Sequence, residues 1–201
     1  MDIRDEEDAR ARVQQRLQHG ERIVWIGQPD PAVNFTGMDA FLIPWGILWL
    51  GFVVVGFASF LHAGSAGFAE VIFGVFLLFG LYYLFGRFVY KRWNKRRTVY
   101  AITNLRAIVL TGSRKISEQP ASGLALTIRL SRNHRHETVI FGAPPPFSLF
   151  MQRNYFPNTG LDPLYFLAPV QVAFYDVADV DGLSAALDKS REVPKDRIAN
   201  A

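Results

Sequence analysis

Two short groups of metal-ligand residue types stand in the second half of the sequence. His134 and His136 lie two residues apart, a spacing that places both rings on one face of a strand. A zinc site needs three or four converging ligands, and the neighbouring residues are cationic, so we expect no metal here. Asp176, Asp179 and Asp181 resemble the start of a calcium loop but lack its glycine and its distal glutamate. We expect an aspartate of this group to cap a following helix instead.

The usual motifs of covalent and phosphate-transfer chemistry are absent from this sequence. The chain contains no cysteine, which excludes disulfides, thiolate nucleophiles and cysteine metal sites. It has no nucleotide-binding glycine motif, no nucleophile elbow and no zinc-protease motif. The sequence therefore predicts no catalytic residue, no metal and no cofactor.

A cluster of basic residues lies just before the midpoint of the chain, at 87–97. Cationic side chains beside a membrane attract anionic headgroups, each with about 1 kcal/mol. We predict that four of them bind lipid headgroups. Because the basic excess is local, the net charge of +4 indicates a membrane surface, and we expect no nucleic-acid partner. The predicted lipid-binding residues are Arg92, Lys95, Arg96 and Arg97.

The basic cluster follows the second of two long apolar segments, 41–61 and 71–90. At about 1.5 Å of rise per residue, each is long enough for a hydrocarbon core of roughly 30 Å. Basic residues flank the pair on both outer sides, and the connector between the segments carries none. Lys and Arg beside a span are retained in the cytoplasm. We therefore predict a transmembrane helical hairpin in a bacterial inner membrane, with both termini cytoplasmic.

The interior of these segments argues against a transport path. Arg87 is the one ionisable residue in the two segments, and we interpret it as an anchor whose side chain reaches the membrane surface. Glycines occur in both segments and permit close helix packing. They would pack the two helices of one hairpin, two copies of the chain in a homo-oligomer, or the hairpin onto a larger membrane complex, and these alternatives stay open.

Beyond the second segment, alternation of apolar and polar residues predicts a β domain. Strands are expected at 98–102 and 107–110 as a hairpin, and again at 124–131, 138–141 and 170–175, before a helix at 179–190. The predicted fold class is an α+β membrane protein: a transmembrane helical hairpin plus a small antiparallel β-barrel or sandwich with a C-terminal helix. The predicted divisions are a short N-terminal helix or flexible arm (1–20), a short β-like segment (21–36), the hairpin (37–97), the β domain (98–190) and a flexible tail (191–201).

Three short motifs lie before the apolar segments, directly after them and before the last helix. They are Gly20-Glu21-Arg22-Ile23-Val24-Trp25 with Gly27-Gln28-Pro29-Asp30, then Tyr100-Ala101-Ile102-Thr103-Asn104-x-Arg106, and Phe174-Tyr175-Asp176-Val177. These motifs resemble the pleckstrin-homology-like (PH-like) domains of small bacterial membrane proteins, whose functions are mostly unknown. The resemblance covers most of 20–187 and implies a PH-like fold for the β domain. Such proteins have no known catalytic residues, so it implies no active site.

The segment 142–169 departs from that family pattern as a long insertion. Connections longer than about 15 residues are uncommon in compact domains. This one combines many prolines with many aromatic and aliphatic residues, which would be poorly solvated unless they are covered. They would cover the β domain, meet the bilayer or bind a partner. We predict that Phe147, Phe150 and Phe156 bind a protein partner, because aromatic side chains dominate interfaces.

Two function classes remain compatible with the sequence. The first is a membrane-anchored, non-enzymatic adaptor or accessory protein whose PH-like domain binds a protein partner or lipid headgroups. The alternative is a small membrane enzyme, or an accessory subunit of a larger membrane enzyme complex. An enzyme needs convergent acid, base or nucleophilic groups, and the polar residues here are spread singly along the predicted strands. We therefore favour the adaptor.

Overall fold

The computed structural model describes residues 3–62, 64, 67–112, 115–120, 126–131, 135–142, 158–161 and 172–191. Its helices are α1 (Ile3–Gln14), α2 (Asp39–His62), α3 (Phe68–Leu81), α4 (Arg87–Arg96) and α5 (Val180–Arg191), with a π-helical turn at Tyr82–Gly86. Its strands are β1 (Ile23–Gly27), β2 (Thr98–Thr103), β3 (Arg106–Thr111), β4 (Lys115–Pro120), β5 (Leu126–Leu130), β6 (Glu137–Phe141) and β7 (Ala173–Val177).

Both predicted apolar segments are helices long and apolar enough to cross a membrane. α2 has 24 residues, and α3 continues through the π-helical turn into α4, so that 27 residues (70–96) form the second such helix. We call this helix pair the apolar hairpin. Most of its apolar side chains face away from the protein; Phe52, for example, is 76% exposed.

Glycines bring the two helices of the apolar hairpin into close contact. A Cβ atom on Gly46 would lie 2.7 Å from Leu84 Cδ2, and one on Gly80 would lie 2.9 Å from Leu50 Cδ1. A methyl group at either position would have to displace the facing leucine side chain, so glycine permits the closest packing. The structure therefore uses these two glycines for packing within one hairpin.

The strands form two antiparallel sheets, one ordered β1-β2-β3-β4 and the other β5-β6-β7. The predicted hairpin at 98–102 and 107–110 is present as β2 and β3. β1 lies before the apolar hairpin in sequence and pairs with β2 beyond it, Trp25 opposite Ile102. The two stretches that flank the apolar hairpin are thus joined in one folded unit, which we call the two-sheet domain.

Of the two predicted alternatives, barrel or sandwich, the β-barrel is wrong, because the two described sheets do not close into a barrel. Among the described residues, one isolated bridge, between Pro29 and Val177, connects the segment after β1 to β7. Asp30 N donates to Asp176 O beside it, at 2.9 Å. Proline has no N–H to donate, so Pro29 and Pro31 prevent this pairing from continuing as a ladder. The result is an α+β domain of two separate antiparallel sheets; the predicted insertion lies largely outside the described residues.

The main core lies between the sheets and α5. Phe174 is its centre, with its ring 4.7 Å from Tyr100 and 4.9 Å from Phe141, between ring centroids. Trp25 packs on the same ring and donates Nε1–H to Asp179 Oδ2 at 2.9 Å. Asp179 also accepts the N–H of Gly182 at 3.1 Å, which confirms the predicted aspartate cap. Burial of these rings fixes α5 over the open end of the sheets.

The helix α1 covers the opposite face of the four-stranded sheet. Ala9 and Val13 are fully buried there against Val99 and Ile108. Their spacing of four residues puts them on one helix face, and the alternation of β2 supplies the matching apolar surface. α1 is therefore a docked part of the two-sheet domain.

Candidate functional site

The basic cluster is divided by α4 into two faces. Arg87, Lys91 and Lys95 follow one another at intervals of four residues and share one face of the helix. Their exposed fractions are 0%, 3% and 5%, and we call them the inward cations. The other three basic side chains are exposed, and we call them the outward arginines: Arg92, Arg96 and Arg97.

The first inward cation forms a buried ion pair across the apolar hairpin. Arg87 Nη1 donates to Asp39 Oδ1, at the start of α2, and to Thr159 O at 3.3 Å. Its guanidinium lies 4.2 Å from the centroid of the Phe88 ring. Asp39 also accepts hydrogen bonds from Thr36 N and Oγ1, at 2.5 and 2.9 Å. The two charges thus compensate each other, while Arg87 Nε and Nη2 have no hydrogen-bond partner among the described residues. The interpretation of Arg87 as a surface anchor is wrong.

The other two inward cations hold the loop that leads into α2. Lys91 Nζ donates to Asn34 O at 2.6 Å. Lys95 Nζ donates to Val33 O at 2.6 Å and to Asp30 O at 3.1 Å. These carbonyls lie in a stretch with two prolines, where the backbone forms no regular ladder. The ammonium groups therefore donate the hydrogen bonds that these backbone carbonyls would otherwise accept in regular secondary structure.

Lys95 also connects α4 to the second sheet. Its Nζ lies 2.6 Å from Asp176 Oδ2, at the end of β7. Asp176 has a φ of 53°, a conformation that aspartate tolerates better than most residues. Lys95 thus joins the loop before α2, the end of β7 and α4 at one point. Its predicted role as a headgroup ligand is not tested by this geometry, but its ammonium is directed into the protein.

Asp30 extends this cluster toward the second sheet. Its Oδ2 lies 2.8 Å from His136 Nε2, and its Oδ1 accepts the N–H of Ala32 at 2.8 Å. Burial works against the charge of Asp30, but the hydrogen bonds from Ala32 and His136 and the nearby charge of Lys95 lower its pKa below the ordinary value. His136 therefore serves an internal contact, and His134 lies outside the described residues.

Residues 158–161, a described part of the predicted insertion, dock on the same part of the helix. Tyr82 OH donates to Gly160 O at 2.7 Å, and Asn158 Nδ2 donates to Asp176 Oδ2. Gly160 has a φ of 82°, and a Cβ there would lie 2.2 Å from Arg87 O. Only glycine permits this approach. Residues 158–161 are thus fixed beside the π-helical turn, whereas Phe147, Phe150 and Phe156 lie outside the described residues.

A second buried charge cluster explains the sequence motifs that carry the resemblance. Arg106 donates to both oxygens of Glu21, from Nε at 3.0 Å and from Nη2 at 2.9 Å. Thr103 Oγ1 donates to the same carboxylate at 2.7 Å. Burial disfavours the charge of Glu21, yet these bonds lower its pKa, and the bond to Glu21 raises the pKa of Arg106. The motifs at 20–25 and 100–106 therefore meet to fix β1 against the β2–β3 turn.

The outward arginines have a different environment. Arg97 lies with its guanidinium 4.5 Å from the centroid of the Trp93 ring, which is itself about half exposed. Such stacking orients a guanidinium without neutralising it. Three of the four predicted lipid-binding residues thus point outward at the end of the apolar hairpin, and Lys95 does not.

No group of three or more metal-ligand side chains converges within the part of the chain that the structure describes. The aspartates whose spacing resembles the start of a calcium loop have different structural roles. Asp179 caps α5, and Asp176 contacts Lys95.

Sequence reasoning missed Asp39 and Asp176 as the partners of the basic cluster. The interval of four residues between the inward cations was the available signal, because it marks one helix face. The partners themselves are 48 and 81 residues away from the cations that they contact, so no local pattern connects them.

No protein-family model, no curated protein and no solved structure matches this chain.

Proposed function

We propose that this protein is a non-enzymatic adaptor anchored in a bacterial inner membrane, whose two-sheet domain binds a protein partner or lipid headgroups at the cytoplasmic surface. The observation that carries the proposal is the buried connection between the apolar hairpin and the two-sheet domain through the inward cations. A domain held this way would keep a fixed orientation at the membrane instead of swinging on a linker.

The exposed apolar surface of the hairpin supports membrane insertion. Phe52, Leu48 and Val55 are each more than 60% exposed, and they belong to a helix of 24 residues. In water, so wide an apolar surface would be unfavourable at about 25 cal/mol per Å². The same surface is favourable in hydrocarbon.

The uneven distribution of basic residues supports the orientation. The outward arginines lie at the end of the second helix, and further arginines precede the first, whereas the connector has none. Because β1 and β2 pair across the hairpin, the two ends of the hairpin must emerge on the same side. We place that side in the cytoplasm.

The use of the buried acidic groups supports a non-enzymatic role. Asp39, Asp176 and Glu21 each contact a cation of the fold itself. Such groups are committed to positioning, and acid–base catalysis needs a group that faces a substrate. The resemblance to PH-like domains, which implies no active site, agrees with this reading.

Membrane topology is directly testable because the chain has no cysteine of its own. In spheroplasts, a membrane-impermeant maleimide should label the variant His62→Cys, in the exposed connector end, without lysis. The variant Asp181→Cys, on the exposed side of α5, should be labelled only after lysis. Labelling of Asp181→Cys in intact spheroplasts would rule out the proposed orientation. If neither variant is labelled before lysis, the hairpin is ruled out.

The partner proposal rests on the aromatic segment 142–169, whose described residues 158–161 are fixed to the π-helical turn. Tagged full-length chain, crosslinked in membranes, should lose its crosslinked protein in the variant Phe147→Ser/Phe150→Ser/Phe156→Ser. The matched variant Leu105→Ser/Ile128→Ser/Leu130→Ser removes three exposed apolar side chains elsewhere and should keep it. Equal crosslinking in both variants would exclude these phenylalanines as the partner site.

A further inference from the structure

A cleft lies between α1 and the β3–β4 hairpin, on the side of the sheet away from the main core. Its volume is about 230 Å³. Ligand pockets for drug-sized molecules usually occupy roughly 300–1,000 Å³, so this cleft suits a smaller group. The residues that line it are Arg12, Gln15, Arg16, Leu110, Gly112, Lys115 and Ile116.

The charge of the cleft is uniformly positive. Arg12 lies in the last turn of α1 and Arg16 two residues beyond its end, and Lys115 lies on the opposite wall at the start of β4. No acidic side chain is among the described residues that line the cleft. Three cations around one concave surface attract an anion, because low-dielectric walls concentrate their field.

The fold holds the α1 wall of the cleft in place. Arg12 Nη2 donates to Gly112 O, in the turn after β3. Arg106 Nη2 donates to Arg16 O at 3.0 Å, so the buried Glu21 cluster fixes the backbone of Arg16. A guanidinium has five N–H donors in a planar arrangement that matches a phosphate. The hydrogen bond from Arg12 to the carbonyl fixes the orientation of its guanidinium.

The cleft lies at the end of the sheet where the chain leaves the apolar hairpin. Thr98 pairs with Thr111, and Gly112 N donates to Arg97 O at 3.0 Å. Arg97 directly follows α4, so the turn that forms one wall of the cleft is hydrogen-bonded to the first residue beyond the hairpin helix. In a membrane-anchored protein, this places the cleft close to the headgroup layer.

From these observations we infer that the cleft between α1 and β4 binds the phosphate of an anionic lipid headgroup or of a soluble phosphate ester. The inference deepens the proposed function, on which it rests, by assigning a site and a ligand chemistry. Arg12 and Arg16 bind phosphate oxygens through their guanidinium groups, and Lys115 adds a point charge. Leu110 and Ile116 supply an apolar wall for the glycerol carbons of the ligand.

The test uses the full-length chain in detergent, with binding followed by native mass spectrometry. The probes are phosphatidylglycerol, zwitterionic phosphatidylcholine and soluble glycerol 3-phosphate. The cleft variants are Arg12→Gln/Arg16→Gln and, on the other wall, Lys115→Gln. The matched control Arg10→Gln/Arg129→Gln removes the same charge from exposed positions on α1 and β5.

We expect the double cleft variant to raise the dissociation constant at least tenfold and Lys115→Gln to raise it severalfold, with the control within twofold of the unmodified chain. A preference for phosphatidylglycerol over glycerol 3-phosphate assigns the lipid as the source. Equal affinity assigns a soluble ester, and either result supports the site. Phosphatidylcholine should bind weakly, because its ammonium group opposes the field of the cleft.

Equal affinity of the control and of both cleft variants for each probe would overturn the inference. If the double variant loses its thermal transition, Lys115→Gln decides alone, since Lys115 is on the exposed wall. Failure here leaves the maleimide labelling and the crosslinking unaffected, so the proposed function is tested separately.

Discussion

The two faces of α4 carry the same residue types and have opposite environments. The inward cations Arg87, Lys91 and Lys95 are buried and contact carboxylates or carbonyls. The outward arginines are exposed one or two positions away along the same helix. A basic cluster read from the sequence as one membrane-binding surface is therefore two sets of groups, of which one holds the fold together.

This difference teaches that helix phase decides the role of a charge at the end of a long apolar helix. A buried cation requires a compensating partner, so its removal leaves an unpaired charge in a place without water. An exposed cation keeps its hydration and contributes little to stability. Stability and lipid contact should therefore separate cleanly between the two faces.

The largest expected effect is the loss of the buried pair at Arg87. Arg87→Met leaves Asp39 buried without its cation, which typically costs 3–5 kcal/mol, or about 10 °C in melting temperature. Arg92→Met, on the outward face of the same helix, should change the free energy of unfolding by no more than about 0.5 kcal/mol. Thermal melting of both full-length variants in detergent makes the comparison.

The double variant Arg87→Met/Asp39→Leu tests the cause of that loss. It removes both charges and should recover most of the stability that Arg87→Met loses, because no unpaired charge remains. A double variant as unstable as Arg87→Met would show that packing, and not charge, dominates at this position.

The next effect concerns the docking of residues 158–161 beside the inward cations. Gly160→Ala introduces a Cβ that would lie 2.2 Å from Arg87 O, whereas Gly20→Ala at φ 79° meets nothing within 4 Å. Both substitutions strain a positive φ, so their difference measures the clash, for which we expect an additional 1–3 kcal/mol. Protease cleavage near residue 160 should accelerate in Gly160→Ala only. Equal melting temperatures for the two variants would contradict this docking.

Acid should distinguish a compensated carboxylate from an uncompensated one. The folded-state pKa of Asp30 is lowered, so its stabilisation is complete above its unfolded pKa of about 3.9 and disappears as the pH falls through the folded value. Asp30→Asn should therefore be less stable than the unmodified chain at pH 6, and the gap should narrow toward pH 3.

The pKa of Glu137 is shifted in the opposite direction to that of Asp30. Burial raises its pKa, against a long hydrogen bond from Ser184 Oγ at 3.4 Å, so its charge opposes folding at pH values above the folded pKa. Glu137→Gln should be more stable than the unmodified chain at pH 7, and this gain should shrink as the pH falls. The melting temperatures of Asp30→Asn and Glu137→Gln, each relative to the unmodified chain, should therefore change in opposite directions as the pH falls. Parallel changes would refute the opposite pKa shifts of Asp30 and Glu137.

The smallest effect on stability is expected at the outward arginines, where the readout is lipid selection. Arg92→Gln/Arg96→Gln/Arg97→Gln should reduce the enrichment of phosphatidylglycerol over phosphatidylcholine among co-purified lipids, by about 1 kcal/mol per side chain. High salt should remove the enrichment in the unmodified chain. Lys95→Gln should instead lower the melting temperature and leave lipid selection unchanged. If Lys95→Gln reduces lipid selection as strongly as one outward arginine, the two faces do not differ as described.

Much of the architecture follows from local patterns in the sequence. The apolar segments, the β2–β3 hairpin and the cap at Asp179 all depend on residues within a few positions of one another. The missing closure of the sheets was also encoded locally, because Pro29 and Pro31 cannot continue a ladder. Weighing those prolines against the strand count would have argued against a closed barrel.

The charge partners depend on tertiary structure and could not be read in the same way. Asp39 and Asp176 become partners of α4 only when the loop before α2 and the end of β7 meet. The cleft likewise combines α1 with β4, two elements that the sequence alone does not bring together. The interval of four residues in α4 predicts that the three cations share one helix face, but it does not predict whether that face points into the protein or outward.

The reactivity of native lysines tests the difference between the two faces most directly. Full-length chain in detergent is treated briefly with an acetylating N-hydroxysuccinimide ester, and each lysine is quantified by peptide mass spectrometry. We predict that Lys91 and Lys95 stay unmodified while exposed Lys189 reacts, and that the lysines introduced by Arg92→Lys and Arg96→Lys react like Lys189. Acetylation of Lys91 and Lys95 at the rate of Lys189 would contradict the inward face and, with it, the rigid connection between the apolar hairpin and the two-sheet domain.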